Sequence, residues 1–256
     1  MSFLKIRKQA KKFEKELNCI KKDSEVDFEW YPYNSLDNFT IIERLLEENG
    51  LSDFFDTLSK DKKILDVGCA DGDVAFFFDQ HGFDVDVIDR SATNFNDLKG
   101  CRYLKEYFNS DISILDLDID RNITLDDDYG FTFAMGLLYH LRNPFYFLNM
   151  LCLHSEYVLM STRIVSHAPD GTFIRDIPMS YLVDKAELNN DPTNYWLFSL
   201  AGIRRLIERA GFGITCELRV GEVDNSTPHQ VEKDERYFAL MKRNENYEAV
   251  FVHHHM

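Results

Sequence analysis

The chain has 256 residues, 45% of them hydrophobic and 29% charged, which suits one catalytic-sized domain with appendages and excludes a disordered chain. No stretch reaches the roughly 18 consecutive apolar residues of a membrane span. The net charge of −15 is uneven, because residues 1–22 hold eight Lys/Arg against only Glu14 and Glu16; the acidic remainder repels phosphate backbones at long range.

The five cysteines (Cys19, Cys69, Cys101, Cys152 and Cys216) are scattered and never form Cys-x-x-Cys. They indicate neither a zinc framework nor a disulfide scaffold, no metal site is expected, and a reducing cytoplasm is the expected location. Met1 to Lys22 lacks the apolar run and cleavage site of a secretory signal.

Ile6, Ala10, Phe13, Leu17 and Ile20 recur at steps of four and three, so residues 3–21 read as an amphipathic helix with a Lys-rich face. That face either stays solvated on a packed accessory helix or contacts RNA or a membrane. An aromatic loop follows at Phe28–Asn34, then a second helix from about Asp37 to Asn49, closed by Gly50. From Asp61 the pattern alternates: strand 63–67, glycine turn 68–72, helix 73–81, strand 84–89, helix 92–108, strands 112–117 and 131–136, helix 144–153 and strand 156–164. A helix follows that is capped by Ser199 and stopped by Gly211, and strands at 213–220 and 236–242 form a hairpin. Seven strands alternating with helices mean an α/β, doubly wound, mostly parallel sheet with an N-terminal helical extension. The expected organisation is 1–58 extension and aromatic loop, 59–243 catalytic domain, and 244–256 tail, from which His253-His254-His255 is excluded for fold reasoning. Segment 166–196, rich in Pro, Asp and Asn, reads as an insertion or lid over the sheet edge.

The most informative stretch is Ile64-Leu65-Asp66-Val67-Gly68-Cys69-Ala70-Asp71-Gly72. Gly68 and Gly72 let the backbone turn sharply and approach a ligand at the C-terminal end of a strand. Asp89, ending the next strand, lies where a carboxylate accepts hydrogen bonds from ribose hydroxyls. The turn lacks the G-x-G-x-x-G dinucleotide spacing, which counts against a nicotinamide oxidoreductase, and no Gly-Lys-Ser/Thr makes it a P-loop. Asp71 and Asp73 oppose a phosphate at the helix start. A ligand with a ribose and a cationic group but no phosphate fits, and S-adenosylmethionine is such a ligand.

The segment resembles motif I of the class I S-adenosylmethionine-dependent methyltransferases, and Val85–Arg90 resembles their second motif. Met135-Gly136-Leu137-Leu138-Tyr139-His140-Leu141-Arg142-Asn143-Pro144 is similar to the strand-end sequence of the same superfamily, nearest to its tRNA wobble-uridine (5-hydroxyuridine) branch. Asn194–Ser199 is also similar to that branch. The resemblance implies the Rossmann-like methyltransferase fold. It also implies that Gly68, Cys69, Ala70 and Gly72 contact the methionine moiety, and that Asp66 orients the loop or reaches the ammonium. It puts Asp89 on the ribose, Arg90 beside the adenine, Asp116 and the Leu117 amide at the adenine edge, and Met135 and Gly136 near the sulfonium. Asp116, with Asp118 and Asp120, reads equally as one solvated strand face.

Methyl transfer from a sulfonium mainly needs an aligned acceptor and exclusion of water, with a base only for a poorly ionised hydroxyl or a protonated amine. His140 is the candidate base; alternatively it is a structural histidine bonding the following Asn-Pro turn. Candidate acceptor contacts are Tyr31 and Tyr33, with Trp30, from the aromatic loop, Arg163 after the fifth strand, and Asn194 and Tyr195, with Trp196, from the insertion. The expected acceptor is an oxygen or nitrogen of a small molecule or of a modified tRNA base. The latter would dock on Arg204, Arg205 and Arg209 or on Lys5 to Lys22. A non-catalytic S-adenosylmethionine-binding module regulating a partner is the alternative, and the oligomeric state stays open.

Overall fold

The computed structural model describes residues 5–121, 125–185, 187–188 and 191–245; the tail beyond 245, with its histidines, lies outside the described residues. Among them, residues 5–121 with 128–133 make one compact unit, and 125–127 with 134–245 a second.

In the first unit, α1 (Ile6–Asp23) buries the five apolar residues of its periodic stripe. After a single 3-10 turn come α2 (Asn38–Glu48) and α3 (Phe54–Thr57), the latter too short to show a period. Then follow β1 (Lys63–Val67), α4 (Asp73–Asp79), β2 (Val85–Asp89), α5 (Lys99–Phe108), β3 (Ser113–Asp116) and the start of β4 (Tyr129–Met135). The strands pair in parallel in the order β3-β2-β1-β4, with Asp66 level with Val87 and Phe133 and Asp89 level with Asp116. This register carries the carboxylates of β1, β2 and β3 toward the same strand ends, where α/β sheets bind ligands.

The core of this unit is aromatic. Phe39 of α2 and Phe55 of α3 pack against Phe77 and Phe78 of α4 and Phe131 and Phe133 of β4, with centroids 4.7 Å apart for Phe131–Phe133 and 5.1 Å for Phe78–Phe133. Tilted and edge-on pairs at such spacing add to the stabilisation from burial alone. The N-terminal helices are thus built into the core that supports the glycine turn.

The helix expected over 92–108 is shorter than the sequence indicated. Residues 91–98 are turns, and α5 starts at Lys99. Asn94 causes the delay: its Oδ1 accepts from the Asn96 and Leu98 amides at 3.1 and 2.9 Å, and Asp97 and Leu98 take positive φ. An asparagine side chain that captures nearby amides offers the backbone an alternative to helix.

In the second unit, α6 (Pro144–His154) leads into β5 (Ser155–Ile164). Next are β6 (Ser180–Leu182), β7 (Trp196–Phe198), α7 (Leu200–Arg209), β8 (Phe212–Gly221) and β9 (Glu235–Arg243). β5 pairs in parallel with β7 and antiparallel with β9, and β9 forms the expected hairpin with β8. Ser199 caps α7, its Oγ accepting from the Gly202 amide at 2.9 Å, and Gly211 follows at φ +101.

The mostly parallel α/β organisation is therefore as the alternation indicated, with nine strands among the described residues in place of seven. The extra two, β6 and β7, lie at 180–182 and 196–198, in and at the edge of the segment read as an insertion. Each has three residues, below the length at which alternation can be read from sequence. No helix among the described residues is long and apolar enough to cross a membrane.

Candidate active site

The glycine turn is the best-defined feature of the first unit. Gly68 extends the β1–β2 ladder, its amide donating to Ile88 O at 2.8 Å, and the chain then turns through positive φ at Gly68, Ala70 and Gly72. The Gly72 amide closes the turn on Cys69 O at 2.7 Å. A Cβ at Gly72 would lie 2.9 Å from Cε2 of Phe76, so both its φ of +84 and its surroundings demand glycine. The Cys69 and Asp71 amides donate to no protein group among the described residues. The Cys69 thiol is buried; its hydrogen bond with Cys101 and its burial hold it protonated, well above the ordinary thiol pKa.

Four carboxylates surround this turn. Asp89 Oδ2 accepts from the Ala70 amide and from Asn94 Nδ2, both at 3.0 Å, while Oδ1 accepts from the Arg90 amide at 2.7 Å. Three bonds leave acceptor capacity for a ribose hydroxyl, since a carboxylate has about four lone-pair sites. Burial raises its pKa above the usual range despite these bonds. Asp66 is 5% exposed, and burial, helped by the charges of Asp89 and Asp73, raises its pKa to about 7. It also accepts from the Ala75 amide in α4. Burial and the neighbouring acids thus disfavour its ionised form.

Asp71 and Asp73 are compensated from within the protein. Lys21 of α1 reaches both, at 3.1 Å to Asp71 Oδ2 and 2.8 Å to Asp73 Oδ1, and its ammonium lies 5.2 Å from the Trp30 ring centroid. Asp71 also accepts from the Tyr31 amide at 2.9 Å and from Asn96 Nδ2 at 2.8 Å. One aspartate thus ties the glycine turn to α1, the aromatic loop and the loop before α5.

At the edge of the turn, exposed Asp116 accepts from the Ser91 amide at 2.9 Å, and hydrogen bonding by the Ser91 side chain and then by its amide lowers its pKa. The Leu117 amide donates to Asp89 O at 3.1 Å and so is engaged within the protein. Arg90 pairs with Asp118 at 3.1 Å. Tyr31 stands edge-on to Tyr33 and Phe95, at 5.4 and 6.1 Å, and both partners are exposed, Tyr33 at 71%.

The second unit holds the other candidates. Gly136 takes φ +67 after Met135, and its amide donates to Ser161 at both O (3.0 Å) and Oγ (2.9 Å). His140 lies in a 3-10 turn at Leu138–His140, and its Nδ1 meets Thr193 Oγ1 at 2.9 Å and Thr193 O at 3.3 Å. Thr193 gives its own hydroxyl proton to Asp191 Oδ1 at 2.6 Å, so Nδ1 carries the imidazole proton and Nε2 the lone pair. The histidine is thereby oriented by the 191–193 loop and not by the Asn-Pro turn after it. Burial lowers its pKa, Asp191 and Thr193 oppose that shift, and Arg236 and Arg163 add to it, so the ring is neutral at neutral pH.

The Tyr195 amide donates to Tyr139 O at 2.8 Å, and Trp196 Nε1 to Arg142 O at 3.4 Å. These bonds seat residues 194–196 beside the His140 turn. Asn194 is 4% exposed; its Nδ2 donates to Leu188 O at 3.1 Å, and its Oδ1 has no partner among the described residues. Arg163 is 5% exposed and bonds Asp234 through Nε at 2.5 Å.

Lys21, Asn94, Asn96, Asp191, Thr193, Asp234 and Arg236 were not legible as site residues. Lys21 sits among seven similar cations, Asp234 lies 71 residues from Arg163 with Arg236 two residues beyond it, and the rest lie in loops. Only Asn94, five residues after Asp89, had a local clue.

Solved structures share this architecture at low identity. The N-terminal domain of EvdMO1 with SAH bound has a TM-score of 0.53 and 15% identity over 95% of this chain and 97% of that one, and the match to the EvdMO1 structure itself covers 47% of that chain. The [4+2]-cyclase SpnF has a TM-score of 0.56 at 10% identity, over 93% and 96% of the two chains. Coclaurine N-methyltransferase bound to N-methylheliamine and SAH also reaches 0.56 at 10% identity, over 84% and 76%. A cyclase among them makes plain that likeness at this level concerns the fold, and that the chemistry must be argued from the site. No curated protein matches the sequence. Residues 39–217, well over half of the chain, match the family model described as a methyltransferase domain, and the chain belongs to that family.

Proposed function

We propose that this protein is an S-adenosylmethionine-dependent methyltransferase of class I that moves a methyl group to an oxygen or nitrogen of a small-molecule acceptor. The observation that carries the reading is the acidic cradle around the glycine turn, with buried Asp66 near neutral pKa and Asp89 retaining acceptor capacity. A cationic, ribose-bearing ligand without phosphate matches that charge and shape. Asp66 holds the ammonium, the Cys69 and Asp71 amides take the carboxylate end, and Asp89 takes a ribose hydroxyl. When bound, the cofactor supplies a methyl group already activated on sulfur. The coclaurine enzyme, by its name an N-methyltransferase, and the SAH in the EvdMO1 domain support this reading.

On the acceptor side, His140 Nε2 is the general base that takes the proton of a hydroxyl or amine. Thr193 and Asp191 keep Nδ1–H in place, so the ring presents its lone pair without a search over tautomers. Within the second unit, Met135 and Gly136 are assigned to the cofactor's sulfonium and Tyr195 to the acceptor; within the first, Tyr31 and Tyr33 are assigned to the acceptor. A small acceptor is favoured over a tRNA base because the cationic patches are partly spent inside the protein. Lys21 is held by Asp71 and Asp73, and Arg204 by Glu217. Five unpaired cysteines suit a reducing compartment, the cytoplasm.

Calorimetric titration with S-adenosylhomocysteine tests the cofactor reading. Binding with an affinity in the micromolar range, about −8 kcal/mol, is expected. Folded protein that gives neither heat nor a thermal shift with either S-adenosyl compound would refute it.

A further inference from the structure

Arg163, at the end of β5, and Arg236, in β9, share one carboxylate. Asp234 Oδ1 accepts from Arg163 Nε at 2.5 Å, and Oδ2 accepts from Arg236 Nε at 2.9 Å. Two guanidiniums against one aspartate leave a surplus positive charge, and Arg163 is 95% removed from solvent. Arg236 further stands over the Tyr139 ring at 5.7 Å, with Nη1 3.5 Å from its hydroxyl. The Tyr139 ring in turn lies against that of its neighbour His140, tilted by 41° with centroids 4.1 Å apart.

Both arginines face Asp234 through Nε, so their outer Nη edges are not spent on it. The Nη atoms of Arg163 and Nη2 of Arg236 have no protein partner among the described residues. The carboxylate of Asp191, which acts on His140, is engaged by the Thr193 hydroxyl at 2.6 Å. In a chain with 44 acidic residues against 29 basic ones, acids to neutralise a second arginine are plentiful, yet this pair has one. The surplus charge falls on Arg236, whose side chain keeps 36% exposure, so an incoming anion can reach it and complete the balance.

We infer that Arg163 and Arg236 form a subsite for an anionic group, a carboxylate or phosphate, carried by the acceptor next to the hydroxyl or amine that His140 deprotonates. The planar fork of a guanidinium matches either anion with two parallel hydrogen bonds, and two forks flanking one aspartate can grip it from both sides. Tyr139 adds a hydroxyl donor. The inference rests on the methyltransferase reading for the role of His140, and the arginine geometry itself does not depend on it.

The test uses the full chain saturated with S-adenosylhomocysteine, whose affinity is measured first and by itself. Four probes are then titrated: 4-hydroxybenzoate, phenyl phosphate, and the neutral 4-hydroxybenzamide and phenol. The anionic probes should bind at least about tenfold more tightly than the neutral ones. Arg236→Gln should erase that preference while leaving S-adenosylhomocysteine affinity in place. Asp234→Asn, which removes the competing carboxylate, should tighten the phenyl phosphate complex by about tenfold, a gain that a purely structural ion triad would not give. Equal binding of charged and neutral probes, or no binding of the charged ones, overturns the inference. So does loss of S-adenosylhomocysteine affinity in Arg236→Gln, which would assign the arginines to the cofactor's own carboxylate. Failure to bind S-adenosylhomocysteine at all in the wild type would instead count against the cofactor reading, and the probe titrations on the free protein would still decide the anion subsite.

Discussion

Replacing Asp66 by Asn should make the protein more stable and a poorer binder of cofactor, and both effects should depend on pH. Burial lifts the Asp66 pKa from 3.8 to about 7, so the folded protein holds that proton more tightly than the unfolded chain does. Stability from this group is therefore greatest below about pH 4, falls as pH rises toward about 7, and stays low above it. A shift of about three units corresponds to about 4 kcal/mol of strain once the acid is ionised. Asn has the shape of the protonated acid and can still accept from the Ala75 amide through its oxygen. Above about pH 8 the variant should thus gain up to about 4 kcal/mol, and at about pH 4 the difference should vanish. Thermal unfolding at both pH values reads this directly, with a rise on the order of 10 °C at the higher pH for a chain of this size. In the same variant, loss of the anionic partner for the ammonium should cost about 1.5–3 kcal/mol of S-adenosylmethionine binding, roughly ten- to a hundredfold. Wild-type affinity should strengthen as pH rises through about 7, because the cation selects the ionised acid. A variant less stable than wild type at high pH, or equally displaced at both, would refute the reasoning about burial. Unchanged affinity would remove Asp66 from the cofactor site.

The remaining predictions concern the supports of the two candidate sites. Lys21→Met leaves the buried carboxylates of Asp71 and Asp73 facing each other without a cation and should destabilise by about 3–5 kcal/mol in urea unfolding; a change under about 1 would mean that the pair is solvated. Gly72→Ala, forced to φ +84 with its methyl against Phe76, should lose about 1–3 kcal/mol of stability and most cofactor affinity in calorimetry. His140→Asn should lower turnover about a hundredfold or more with little change in S-adenosylhomocysteine affinity, once an acceptor is in hand. Because its pKa lies below the ordinary histidine value, activity should persist on the acid side of neutrality before falling. Thr193→Val removes the hydroxyl that accepts from Nδ1 and should move that pH profile and lower the maximal rate, whereas a merely structural threonine would leave the profile where it is.

The residues legible from sequence are those whose role is written in local spacing. The turn from Gly68 to Gly72 and the acid at Asp89 announce themselves because a strand end, a reversal and the next strand end fall at fixed intervals along the chain. The stripe Ile6–Ile20 announces α1 for the same reason, since 3.6-residue periodicity needs no partner to be seen. What stayed hidden is what the fold brings together from afar. Lys21 lies 50 residues before Asp71, and nothing local separates it from the seven other cations near it. Asp234 and Arg163 are 71 residues apart, and β6 and β7 are strands only because they find each other and β5. The failed start of α5 is the instructive middle case. Asn94 sits in a segment with helical composition, yet its side chain is spent on Ala70 O, Asp89 and two amides of its own loop. A residue that bonds the glycine turn cannot also let its neighbours begin a helix, so the local rule gave way where the loop was needed to hold the site. Departures from local propensity are expected to concentrate at such places. The break at 91–98, placed beside Asp89 and Ala70, is therefore itself an argument that this end of the sheet is built for a ligand.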